Sequence, residues 1–188
     1  NEINDLWKLQ IQKLNDFSKN ADQSFFHAWF RAKYAESFQL GKVGAENQDY
    51  EKIGSRFHSW FKENHEERFG LKSSEDFYQF FKTEFPFFVK WYLNIWEARI
   101  EYRPSLEYVH YINCWGIADS LQEPLLLSVC QYGEMDENIQ FKINTVAKFI
   151  ETFTVRRSVN YKKFGQAAIK YTIFNIIKKI RDNEKTHL

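Results

Sequence analysis

Apolar residues recur along this chain at spacings of three and four, and no sustained period-two alternation bounded by turn pairs interrupts them. The pattern predicts helices from end to end and an all-α fold, an irregular multi-helix bundle of about eight or nine helices. A first helix is expected from Ile3 to Phe17, with Leu6, Trp7 and Leu14 on its apolar side. A second follows Asp22 or Ser24 and carries Phe25, Phe26, Trp29, Phe30 and Tyr34 toward Leu40, where the stretch Gly41 to Gly44 stops it. A third runs from Tyr50 to Phe69 on Ile53, Phe57, Trp60 and Phe61, with Gly70 as its C-terminal cap.

Ser73 with Asp76 three residues on has the form of a capping box, opening a stripe of Phe77, Phe80, Phe81 and Phe85. Pro86 must kink that helix or restart it, and Trp91, Tyr92, Ile95 and Trp96 continue the stripe to Ile100 before the break at Arg103, Pro104 and Ser105. Beyond it the pattern predicts a buried helix from Leu106 to Ile117. Pro124 opens a short helix from Leu125 to Gln131, with Gly133 after it. A long helix capped by Asp136 carries Phe141, Ile143, Val146, Phe149 and Ile150, and a last one spans Tyr161 to Arg181. No Gly-, Ser- or Pro-rich linker divides the chain, so a single helical domain over residues 1–188 is expected.

Composition adds one unusual quantity. With 19 Phe, 10 Tyr and 6 Trp against 7 Gly and 3 Pro, turns are few and aromatic packing heavy. At helical spacing these rings read as core before they read as a platform for bases. The two cysteines, Cys114 and Cys130, lack metal or redox spacing and are expected as buried free thiols. The longest uncharged aromatic stretch, Tyr108 to Ala118, is too short to cross a bilayer, so no membrane partner is expected and the cytoplasm is the expected compartment. The chain begins at Asn1 without a basic and then apolar leader, and is expected to be a piece of a larger protein.

Charge changes the picture more. The formal net charge is +1, yet from Thr152 to Arg181 there are eight basic residues and no acid, which leaves 18 basic and 25 acidic residues elsewhere, a net of −7. The candidate nucleic-acid-binding residues are therefore Arg156, Arg157, Lys162, Lys163, Lys170, Lys178 and Arg181, with Lys179 beside them. On a helix opening at Tyr161, Lys163, Lys170 and Arg181 fall close to one line that could follow a phosphate backbone. The same lysines could instead keep an apolar helix soluble or dock on the acidic remainder, and the Arg pair could simply offset a helix dipole or dock a neighbouring segment.

Other chemistry finds little support. His58 and His65 stand seven apart without the H-E-x-x-H pattern or a close third ligand, so no metal site is expected. His27, His110 and His187 have no neighbouring nucleophile, and Gly41 to Gly44 lacks the spacing of a phosphate loop. Glu63 and Glu67 are i,i+4 neighbours on a solvated face. No catalytic residue and no cofactor is assigned.

The run Phe149-Ile150-Glu151-Thr152-Phe153 followed by Val155-Arg156-Arg157 resembles the helical middle portion of the GmrSD-type family, the modification-dependent (type IV) restriction systems and related phage-defence endonucleases. The resemblance extends upstream through Arg56-Phe57 with Trp60, Gly70-Leu71, Asp76-Phe77 with Phe80-Phe81, then Tyr111-Ile112-Asn113 and Pro124-Leu125-Leu126-Leu127. Members carry a ParB-like N-terminal domain with a D-G-Q-Q-R motif and a C-terminal H-N-H-type nuclease domain. Neither motif occurs in this chain. What the resemblance implies is a non-catalytic helical connector whose partners are the neighbouring domains of the parent protein, with DNA within reach of the basic segment. A protein-interaction or dimerisation scaffold is the alternative that the aromatic content suggests.

Overall fold

The computed structural model describes residues 2–40, 46–114, 117–163 and 165–186. Among these residues there are nine α-helices, one 3₁₀ turn and no strand, so the chain is all-α as expected. His187 and the expected stop at Gly41 to Gly44 lie outside the described residues. Backbone contacts gather the chain into two compact units, residues 1–90 and residues 91–188.

The first unit holds α1 (Glu2–Phe17), α2 (Ala21–Lys33), α3 (Asp49–Phe69), α4 (Ser74–Lys82) and the opening turns of α5 (Glu84–Ile100). Its core is a pile of rings: the fully buried Trp29 stacks on Phe80 at 5.4 Å and on Phe88 at 5.0 Å, and Phe26 on Phe57 at 5.2 Å. Aromatic pairs at these separations add to area burial through their quadrupoles.

Local signals place most of the ends here. Ser73 Oγ accepts the Asp76 amide at 3.2 Å while Asp76 Oδ2 accepts the Ser73 amide at 2.7 Å, a complete capping box. Gly70 ends α3 at φ 68°, a left-handed position that glycine occupies without a Cβ clash. Pro86 restarts the helix, lying in the first turn of α5, where its missing N–H costs no bond.

The end of α2 departs from expectation, at Lys33 instead of Leu40. The Asp49 carboxylate takes the amides of Glu36 and Ser37 at 3.0 and 3.3 Å, and Glu51 takes that of Gln39 at 3.0 Å. Those donors are thereby diverted from the carbonyls a longer helix would have given them. Asp49 also accepts the Trp60 indole N–H at 3.0 Å.

The second unit holds the rest of α5, the 3₁₀ turn Pro104–Leu106, α6 (Glu107–Ile112), α7 (Asp119–Leu127), α8 (Asp136–Val159) and α9 (Gln166–Thr186). Helix α8 packs on α6 and α7, and α9 on α7. Ile139, Ile143, Ala147, Ile150 and Thr154 are the buried stripe of α8, whereas Phe141 and Phe149, expected with the core, are 73% and 40% exposed. They fall off the stripe that spacings of three and four define.

Three helix boundaries in this unit are corrected. The helix expected over Leu106 to Ile117 stops at Ile112, which leaves Cys114 exposed in the following turn while Cys130 is buried; both are thiols, not joined in a disulfide. The helix expected from Leu125 begins at Asp119, because the amides of Leu121 and Gln122 both bond the Ala118 carbonyl and start the ladder there. Pro124 consequently lies inside it, not at its start. Helix α9 begins at Gln166 rather than Tyr161 because the chain first makes a left-handed turn.

Candidate nucleic-acid interface

Arg156 and Arg157 occupy the last turn of α8, where cations offset the negative end of the helix dipole, worth about 0.3–1 kcal/mol. The helix closes by a double bond pattern: the Lys162 amide donates to the Arg157 carbonyl at 2.8 Å and the Tyr161 amide to the Ser158 carbonyl at 3.0 Å. This is a Schellman cap with Tyr161 in the left-handed position, φ 53°, that glycine usually fills. The Asn160 side chain adds a bond to the Arg156 carbonyl at 2.7 Å. Three of the last carbonyls are thus satisfied, so less partial negative charge faces an incoming anion.

The two arginines then part company. Arg157 donates through Nε at 2.9 Å, and also through Nη2, to the Lys163 carbonyl, and its guanidinium lies 5.4 Å over the Phe153 ring. It staples the turn to the helix. Arg156, one step around the helix, is exposed.

Around them Phe149, Thr152, Phe153, Arg156, Arg157, Asn160 and Lys162 line an open concavity of about 270 Å³. Phe149 and Phe153 are 5.8 Å apart, ring to ring, and form its apolar wall. Its rim is cationic, and from Thr152 onward to Arg181 the sequence contains no acid. Elsewhere in the second unit Arg99 pairs with Asp119 and Glu123, Arg103 with Glu97 and Lys142 with Glu134.

The structure brings Arg156, Arg157 and Lys162 together around the concavity, with the Lys163 backbone held by Arg157, and places Lys170, Lys178 and Arg181 on α9. Lys163 precedes α9 instead of riding on it, so the line of Lys163, Lys170 and Arg181 along one helix does not exist. Arg181 is only 3% exposed, on the face of α9 that buries Ile173, Phe174 and Ile177, and is withdrawn from any surface contact. Lys170 and Lys178 are half-buried, the latter with its ammonium 6.0 Å from the Phe174 ring, while Lys179 is exposed. The site residues that sequence reasoning missed are Phe149, Phe153 and Asn160. Their signal was weak but present: Phe149 and Phe153 share an i,i+4 spacing that flanks the buried stripe.

A second charged cluster in the same unit is structural. Arg99, 2% exposed, has Nη1 3.3 Å from Asp119 and 3.5 Å from Glu123, and Nη2 donates to Gln122 at 3.4 Å. Burial pushes the Glu123 carboxyl up to about 7 despite the attraction of Arg99, with Asp119 adding to the rise. In the first unit Arg31 lies 4.1 Å over the Tyr50 ring and donates twice to the Tyr50 carbonyl. His27 is drawn down to about 4 by burial, then by the charges of Arg31 and His58.

Among the described residues no three His, Cys, Asp or Glu side chains gather as a metal ion requires, and no helix is long and apolar enough to cross a membrane. Comparison of the chain with family models, with curated proteins and with solved structures yields no match.

Proposed function

We propose that this chain is a non-catalytic helical module of a DNA-restricting defence nuclease, of the kind its sequence resembles, and that it contacts DNA phosphates through the end of α8 and the turn after it. The observation that carries the reading is the exposed pair Arg156 and Lys162 on the rim of the concavity, held in place by the Arg157 staple. A cation presented to a phosphate releases condensed counterions, and a firm backbone under it lowers the ordering cost of binding. The charged clusters at Arg99, buried, and at Arg31, half-buried, are occupied with their own chain, which supports a module that positions rather than reacts. Its protein partners would be the neighbouring domains of the parent chain.

A second reading, a protein-interaction scaffold, is favoured by the outer face of α8, where Phe141 and Val159 are 73% and 71% exposed and Val155 is 39% exposed. Fluorescence anisotropy of labelled DNA at low salt separates the two. Binding should weaken at least tenfold in Arg156→Ala/Lys162→Ala and less than twofold in the charge-matched Lys8→Ala/Lys72→Ala. Equal losses, or no binding by the wild-type chain, would overturn the DNA reading. A tight oligomer in sedimentation without DNA affinity would favour the scaffold.

A further inference from the structure

Phosphate contact has no use for aromatic walls, yet Phe149 remains 40% exposed beside Arg156 on the rim, and Phe153 forms the wall with it. The turn that closes the site adds a more costly exposure. Tyr161, between Asn160 and Lys162, is 98% exposed and holds φ 53°. A bulky side chain in the left-handed region is strained, and a ring that touches almost nothing of its own chain gives no packing in return. Glycine or asparagine would close the same cap without strain. The residue present is instead one whose flat face can stack.

We propose that this end of α8 takes an unpaired nucleobase, and hence single-stranded DNA, stacking bases on Tyr161 and on the Phe149 and Phe153 wall while Arg156 and Lys162 hold the flanking phosphates. The proposal rests on the phosphate reading above and narrows it. Inside a duplex each base face is covered by its neighbours, so exposed rings serve only a base outside the stack. The concavity, about 270 Å³, lies just below the ordinary range of small-ligand pockets, ~300–1,000 Å³, which suits one base rather than a larger group. Arg157, pinned over Phe153, keeps that wall from turning and leaves Phe149 as its open member.

The test uses three labelled probes with equal numbers of phosphates: a single-stranded 12-mer, an abasic strand, and a duplex. At fixed salt the 12-mer should bind at least tenfold more tightly than the abasic strand. Tyr161→Asn and Phe149→Ala should each weaken the 12-mer by about 5- to 150-fold, the span of single-base stacking losses, and leave the abasic strand unchanged. Tyr161→Phe should retain binding. The Tm of Tyr161→Asn should be equal to or above that of the wild type, since strain is relieved. If all three probes bind equally and Tyr161→Asn binds normally, the base-stacking inference falls and the phosphate reading stands. If none binds, both fall. A lowered Tm in Tyr161→Asn would show that the ring supports the fold and would overturn its assignment as a stacking residue.

Discussion

The absence of a Cβ at Gly54 decides where Arg31 can lie. A methyl there would stand 2.0 Å from Arg31 Nη2 and displace the guanidinium from the Tyr50 ring and carbonyl. Gly54→Ala should therefore destabilise the chain by about 1–2 kcal/mol in chemical denaturation, the scale of charge-assisted bonds lost. In an Arg31→Met background the same change should turn neutral or stabilising, because alanine is the better helix former. Glu123 supplies a pH signature. Its folded carboxyl is raised from 4.5 to about 7, so between those values the folded chain keeps a proton that the unfolded chain has released. Stability then falls as pH rises through that window, and Glu123→Gln should shrink the difference in unfolding free energy between pH 5 and pH 8. Neither Arg99 with Glu123 nor Arg31 with Tyr50 was legible in the sequence. Their members are far apart along the chain, and nothing local marks one cation as buried and another as solvated.

Elements whose ends are set by neighbours in sequence could be read in advance. The Ser73 and Asp76 box and the Gly70 cap are made within six residues, and both stand where the pattern put them. Ser73→Ala should cost about 1 kcal/mol, seen as a lowered denaturation midpoint with an unchanged m-value. Ends set by tertiary contacts could not be read. Helix α2 stops because a carboxylate from the start of α3 captures its continuation, and Pro124 lies within α7 because the ladder starts at Ala118. The turn before α9 was hidden for a related reason: a tyrosine takes a conformation that sequence rules reserve for glycine. That one turn removes Lys163 from the helix and, with it, the basis for a line of cations.

At the scale of the whole molecule, the segregation of charge was visible by counting alone. Counting did not say which cations would meet solvent. Helix α9 buries Arg181 and half-buries Lys170 and Lys178, so apart from Lys179 the exposed cations of the basic segment stand at the end of α8 and the turn beyond it. The proposed DNA role depends above all on Arg156 and Lys162 contacting phosphate there. The most direct measurement is the slope of log Kobs against log salt for a DNA oligonucleotide. The wild-type chain should bind with a negative slope, and Arg156→Ala/Lys162→Ala should make it shallower by about two, roughly one for each lost contact. A double variant with the wild-type slope, or a wild-type affinity indifferent to salt, would contradict the account.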